Sequence, residues 1–125
     1  MAETMFPLRV LIVEDEYYLA ADLAEALQAR GARIVGPVGT FDEALAAVAA
    51  DEIDMALLDM NLRGEMSFAV AERLDEAGIP FVIATGYSTE SLPESLRDRP
   101  RVEKPFRPEQ VADMILAAAP ATTGP

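Results

Sequence analysis

The 125-residue sequence contains no cysteine and no histidine. Without cysteine the chain forms no disulfide and has no thiol nucleophile, and without histidine it lacks the commonest general base and metal ligand. It also cannot carry a phosphoryl group on a histidine side chain. The chemistry left open to this protein is that of carboxylates, hydroxyls and lysine.

Basic residues are scarce as well. Ten lysines and arginines stand against 22 aspartates and glutamates, which gives a formal net charge of −12. A phosphate backbone or an anionic membrane surface would repel such a chain, so we expect no nucleic acid and no membrane as partner. No signal-like segment opens the sequence, and no apolar run approaches the roughly 18 residues of a membrane span. We expect a soluble, cytoplasmic protein.

Short apolar runs alternate with segments whose apolar residues recur every three or four positions, which predicts strands alternating with helices. Five such repeats favour an α/β fold with a parallel sheet covered by helices on both faces. We expect one domain at 8–119, an N-terminal extension at 1–7 and a flexible tail at 120–125. The predicted strands are Leu8–Val13, Ala32–Val38, Ile53–Leu58, Ile79–Ala84 and Arg101–Glu103, and the predicted helices are Glu16–Arg30, one capped by Thr40, Met66–Ala77 and one opened by Pro108.

Three details of this pattern are less strongly specified. Tyr87 to Arg99 contains serines and Pro93, so we expect only a short or mobile helix there. Phe68 is predicted to be available for packing on its helix, and one of Tyr17 and Tyr18 is expected to pack.

Acidic residues follow two of the predicted strands. Glu14 and Asp15 follow the first, and Asp59 follows the third, ahead of the turn-forming stretch 60–64. If these strands are neighbours, as in the flavodoxin-like strand order 2-1-3-4-5, their carboxylates meet at one edge of the sheet. A cluster of carboxylates without nitrogen or sulfur ligands suits Mg²⁺, and a carboxylate can accept a phosphoryl group.

Two groups that can stabilise phosphoryl oxygens follow the fourth and fifth predicted strands. Thr85 ends the fourth strand with a hydroxyl, and Lys104 follows the fifth with an ammonium group. Both are expected at the same edge as Asp59, where they could face the negative charge that develops during phosphoryl transfer.

Together these motifs resemble the receiver domain of response regulators, over roughly residues 8–119. The resemblance implies a flavodoxin-like (βα)5 three-layer sandwich with a five-stranded parallel sheet in the order 2-1-3-4-5. It also implies that Asp59 accepts a phosphoryl group from a histidine kinase, for example of the HWE or a related type. Asp15 and Asp59 would bind Mg²⁺ directly, Glu14 through water and Asn61 through its backbone carbonyl, while Thr85 and Lys104 would hold the phosphoryl oxygens.

A narrower resemblance is to the "FAT GUY" subfamily of receivers, which is commonly encoded without an output domain. It is carried by 81–87 (FVIATGY), 61–64 (NLRG) and 97–100 (RDRP). Arg101 stands where most receivers have an aromatic switch residue, so our hypothesis is that Tyr87 and the segment 88–99 transmit the signal. Pro105 and Phe106 complete the Lys-Pro-Phe motif, and Phe106 is open to either a core or a partner-surface role.

The leading interpretation is therefore a stand-alone receiver of a two-component phosphorelay that signals by protein-protein contact. Its downstream partner would be a protein such as a phosphorelay or anti-sigma pathway component, and its only enzymatic activity would be self-phosphorylation and self-dephosphorylation. One alternative is a pseudo-receiver that acts as a docking module without phosphorylation. Another is an aspartate-nucleophile phosphatase, although Asn61 stands where such enzymes usually place a second aspartate.

Overall fold

Strands and helices alternate along the chain as the apolar pattern predicts. The computed structural model describes residues 7–50, 52–86 and 92–119. In chain order the elements are β1 (Arg9–Val13), α1 (Tyr17–Ala29), β2 (Arg33–Val38), α2 (Phe41–Ala50), β3 (Met55–Asp59), β4 (Asn61–Leu62), β5 (Glu65–Met66), α3 (Phe68–Glu76), β6 (Phe81–Thr85), a 3-10 turn (Glu94–Leu96), β7 (Arg101–Glu103) and α4 (Pro108–Ala118).

The main sheet has five strands in the order β2-β1-β3-β6-β7, and every pair in it is parallel. Numbered among themselves, these strands follow the order 2-1-3-4-5, so the flavodoxin-like α/β fold is confirmed. The central strands β3 and β6 are buried along their whole length, as expected for a sheet that is covered on both faces.

Two apolar clusters fill the space between this sheet and the helices on its two faces. One face packs against α2 and α3 through side chains such as Leu11, Leu58 and Leu74. The other packs against α1 and α4 through side chains such as Ile12, Leu27 and Ile115. Successive side chains of a strand point to opposite faces, which explains why Leu11 and Ile12 belong to different clusters.

The connection after β3 differs from the prediction, whereas the described part of the connection after β6 agrees with the short helix expected there. The stretch after β3 forms a small antiparallel hairpin of β4 and β5, where only a turn was predicted. Within 92–100 the chain forms a single 3-10 turn, so the described residues contain four α-helices and one short turn where the fourth crossover lies. Leu92 and Leu96 of this segment are buried in the cluster beside α3.

The expectation that one of Tyr17 and Tyr18 packs is wrong, and so is the expectation for Phe68. Tyr17 and Tyr18 are 76% and 78% exposed, and the two rings contact each other edge to face. The fully buried residues of α1 begin only at Ala20, so both tyrosines precede the buried face of the helix. Phe68 begins α3 and is also exposed, because the buried face of this helix is formed by Val70, Ala71 and Leu74.

Among the described residues, no helix has both the length and the apolar character that a membrane crossing requires. The proposed N-terminal extension, apart from Pro7, and the proposed tail at 120–125 lie outside the described residues.

Candidate functional site

The register of the sheet places four candidate side chains along one edge. Val13 of β1 pairs with Leu58 of β3, so Glu14 and Asp59, which follow them, lie side by side. Asp59 pairs with Ala84 of β6, and Thr85 pairs with Glu103 of β7. Lys104 follows Glu103 directly, and its backbone N–H donates to the carbonyl of Thr85. The carboxyl ends of four neighbouring strands therefore converge on one site.

Asp59 lies at the centre of this edge, and its side chain is only 4% exposed. The Lys104 ammonium donates to Asp59 Oδ2 at 2.9 Å. On the other side of the carboxylate, the backbone N–H of Asn61 donates to Oδ1 at 3.0 Å. Each oxygen of this buried carboxylate therefore accepts a hydrogen bond, and one of the two donors is the lysine ammonium.

Glu14 is the second buried carboxylate of the site. The Lys104 ammonium lies 3.2 Å from both of its oxygens and donates to Oε2, which also accepts the backbone N–H of Glu16. Burial and the adjacent charge of Asp59 raise the pKa of Glu14 to about 7, although Lys104 opposes this shift. Among the described residues, Oε1 is buried and accepts no hydrogen bond. Oε1 thus has the Lys104 ammonium beside it but no hydrogen bond of its own within the described part of the chain.

The ammonium of Lys104 is held between these two carboxylates. Partial burial alone would lower its pKa, but the hydrogen bond and charge of Asp59, together with Glu14, raise the pKa above the ordinary 10.5. Lys104 is therefore a cation throughout the physiological pH range, and it offsets part of the negative charge of the cluster.

Asp15 completes a group of three carboxylates. One oxygen each from Glu14, Asp15 and Asp59 lie within 4.8 Å of one another, a grouping that could hold a metal ion. Asp15 Oδ2 accepts the backbone N–H of Arg63 at 2.8 Å, so the β4-β5 hairpin contacts the acidic cluster directly. Arg63 has a positive φ of 53° at the tip of the hairpin, between β4 and β5.

Asn61 stabilises the same hairpin from within, since its side-chain oxygen accepts the Gly64 N–H at 2.7 Å. The backbone N–H of Asn61 thus contacts Asp59, while its side chain closes the turn of the hairpin. These two contacts place the start of β4 within reach of the acidic cluster.

The other predicted residues belong to β6 and β7 or follow them in the sequence. Thr85 is buried at the end of β6. Arg101 is half-buried at the start of β7, Pro105 is exposed, and the Lys104–Pro105 bond is cis. Phe106 is half-buried and packs against the cluster beneath α1 and α4, so it takes part in the core. Tyr87 lies outside the described residues.

One residue of the site was not predicted. Ser67 is fully buried, and its hydroxyl donates to the backbone carbonyl of Asp59 at 2.6 Å. The helix was predicted to begin at Met66, which placed Ser67 inside it, whereas α3 begins at Phe68 and Ser67 is its N-cap. No sequence pattern indicated that its side chain turns toward Asp59.

The chain is similar to known proteins over almost its full length. The sequence model of the response regulator receiver domain matches residues 10–116. The solution structure of SdrG from Sphingomonas melonis Fr1 is 47% identical, with a TM-score of 0.76 over 90% of this chain and 95% of that one. The BeF3-activated conformation of SdrG from Pseudomonas melonis Fr1 is 46% identical, with a TM-score of 0.74 over 91% and 98% of the two chains.

A longer relative shares the same region. The transcriptional regulatory protein PdtaR from Mycobacterium tuberculosis is 32% identical over 117 residues, which are 93% of this chain and 57% of PdtaR. The chain thus spans little more than half the length of this relative. The strand order, the convergent acidic edge and the match at 10–116 together establish that this chain belongs to the response regulator receiver domain family.

Proposed function

We propose that Asp59 is the phosphoacceptor of this receiver and that a histidine kinase supplies the phosphoryl group. The observation that carries the proposal is the arrangement of charges around Asp59. The buried carboxylate of Asp59 is grouped with two further carboxylates and lies 2.9 Å from the Lys104 ammonium. This is the combination that in-line phosphoryl transfer to a carboxylate requires, namely a nucleophile and a cation for the transferred oxygens.

The transfer forms one bond and breaks one. A carboxylate oxygen of Asp59 attacks phosphorus, and the bond from phosphorus to the donor breaks. The electron pair of that bond leaves with the donor, which is the imidazole of a phosphohistidine or, for a small phosphodonor, acetate. Asp59 then carries an acyl phosphate, which water can later hydrolyse.

The residues at this edge fit a divalent cation. Three carboxylate oxygens lie within 4.8 Å of one another, and the buried Oε1 of Glu14 accepts no hydrogen bond from the described residues. Asp15, Asp59 and the backbone carbonyl of Asn61 would hold Mg²⁺, with Glu14 acting through water. When bound, the ion would neutralise carboxylate repulsion and attract the oxygens of the phosphoryl group.

Thr85 and Lys104 would hold the oxygens of the phosphoryl group once it is on Asp59. The position of the two residues supports this role. Thr85 is the last residue of β6 and Lys104 follows β7, at the same edge as Asp59, and Lys104 already contacts the Asp59 carboxylate. A relative that is 46% identical, SdrG, has a BeF3-activated conformation. Beryllium trifluoride imitates a phosphoryl group on a carboxylate, which favours the same chemistry in this chain.

We further propose that the signal leaves the site through the chain that follows β6. Tyr87 begins this connection, and its described part, 92–100, holds only a 3-10 turn. This part is attached through buried Leu92 and Leu96 and through the Arg99–Asp75 ion pair. A segment with so little regular structure can rearrange when a phosphoryl group binds beside Thr85. A downstream protein would recognise the rearranged segment.

The test is intact-protein mass spectrometry after incubation with Mg²⁺ and acetyl phosphate. We expect the wild type to gain the mass of one phosphoryl group, and Asp59→Asn to gain none. A matched sample containing a chelator should remain unmodified. If the folded wild type stays unmodified with acetyl phosphate and with candidate kinases, the phosphoacceptor function is wrong and a docking module without phosphorylation becomes the better account.

A further inference from the structure

Ser67 has no role in the function proposed above, yet it is in direct contact with the proposed phosphoacceptor. It is fully buried, and its hydroxyl donates to the backbone carbonyl of Asp59 at 2.6 Å. Its backbone N–H donates to the carbonyl of the next residue, Met60, at 2.9 Å. One residue therefore satisfies two consecutive carbonyls, at the point where β3 leaves the sheet.

The position of Ser67 before α3 makes its side-chain contact informative. A serine at an N-cap ordinarily accepts a hydrogen bond from a backbone N–H in the first turn of the helix. Ser67 occupies the N-cap of α3, but its side chain makes no capping hydrogen bond. The hydroxyl instead spans eight positions back along the chain to Asp59. The Ser67 hydroxyl thus contacts the backbone of the acidic site and does not cap the helix.

The contact also joins the two ends of the loop that carries the Asn61 and Arg63 N–H donors. Residues 60–66 leave the sheet at Asp59 and return at Ser67, with the β4-β5 hairpin between them. Within this loop, the Asn61 N–H contacts Asp59 Oδ1 and the Arg63 N–H contacts Asp15 Oδ2. Holding the two ends of the loop together limits how far these donors can move from the carboxylates.

We propose that Ser67 is a positioning residue for phosphoryl transfer. Its hydroxyl fixes the Asp59 carbonyl, and through the closed loop it fixes the two N–H groups that orient the carboxylates of Asp59 and Asp15. This inference rests on the proposed phosphoacceptor function. It predicts that removing the hydroxyl slows transfer even when the protein is folded and both Mg²⁺ and phosphodonor are saturating.

The test compares Ser67→Ala with Ser67→Thr, which retains a hydroxyl. Thr40→Ala is the matched control, because Thr40 also uses its hydroxyl in one hydrogen bond to the backbone, at the start of α2. The rate constant of phosphorylation by saturating acetyl phosphate is measured by intact mass and corrected for the folded fraction. We expect Ser67→Ala to be about tenfold slower than the wild type, a loss of one well-placed hydrogen bond. Ser67→Thr should stay within about threefold, and Thr40→Ala should match the wild type.

A second readout does not depend on phosphorylation. Hydrogen exchange of the Asn61 and Arg63 amides, followed by two-dimensional NMR of the unphosphorylated protein, should be faster in Ser67→Ala than in Thr40→Ala. Equal phosphorylation rates in Ser67→Ala and the wild type would overturn the inference, as would equal slowing in all three variants. If the wild type itself gains no phosphate, the proposed function fails, and unchanged exchange of the two amides would then overturn the anchoring role separately.

Discussion

The buried carboxyl group of Glu14 makes the stability of the metal-free protein depend on pH. Burial and the charge of Asp59 raise its pKa from the ordinary 4.5 to about 7. In the unfolded chain Glu14 ionises near its ordinary pKa, so between pH 4.5 and 7 the folded state keeps a proton that the unfolded state has lost. The free energy of unfolding therefore falls as the pH rises through this window, and the loss is complete above it.

The magnitude follows from the size of the pKa difference. A change from 4.5 to about 7 corresponds to roughly 3 kcal/mol if the whole shift is expressed in stability. Relaxation of the site around the ionised group reduces this value, so we expect roughly 1–3 kcal/mol. Mg²⁺ should recover most of it at high pH, because a cation beside Glu14 favours the ionised form.

The assay is urea unfolding, followed by circular dichroism, of the wild type and Glu14→Gln in the presence of a chelator. The variant cannot ionise, so it should be more stable than the wild type by roughly 1–3 kcal/mol at pH 8 and nearly equal to it at pH 5. Adding Mg²⁺ at pH 8 should stabilise the wild type more than the variant. Glu72→Gln, which removes one charge from an exposed position of α3, is the control. Parallel pH curves for the wild type and Glu14→Gln would refute the reasoning.

Three further predictions follow from the geometry. Lys104→Met removes the cation that contacts Asp59 and should slow phosphorylation by acetyl phosphate at least about tenfold, as measured by intact mass; an unchanged rate would contradict the role of Lys104. Arg99 contacts Asp75 through two hydrogen bonds on the surface, so a double-mutant cycle with alanine in urea unfolding should give a coupling of about 0.5 kcal/mol, and a value near zero would show that the pair does not fasten 92–100 to α3. Leu58→Ala should lower the free energy of unfolding by about 2–5 kcal/mol, because Leu58 is fully buried in the cluster beside α2 and α3, and a loss below about 1 kcal/mol would mean that this cluster contributes little.

The sheet and most of the site could be predicted because they depend on strongly patterned segments. The runs that became β1 and β3 are apolar at nearly every position, and each is followed by acidic residues. In a parallel sheet, residues that follow neighbouring strands must lie at the same edge. Once the strand order was taken from a known fold, the proximity of Glu14 and Asp59 followed. The structure confirms the order and the proximity.

The hairpin and the Ser67 contact could not be predicted, because they depend on local backbone geometry. Each strand of the hairpin has only two residues, too few to show an alternating pattern. A serine can hydrogen-bond to many backbone groups, and its choice of the Asp59 carbonyl depends on how the hairpin returns to α3. The prediction that one tyrosine of α1 packs was wrong for a related reason. Whether a side chain in the first turn of a helix is buried depends on where that turn lies relative to the sheet, which the residue type does not indicate.

The measurement that tests the central claim most directly is the location of the phosphoryl group. Borohydride reduces an aspartyl phosphate to homoserine, so the wild type treated with Mg²⁺ and acetyl phosphate, then reduced and digested, can be analysed by peptide mass spectrometry. The account predicts homoserine at position 59 and at no other aspartate. Homoserine at position 15 in place of 59, or a phosphoryl group that is stable to borohydride, would contradict it.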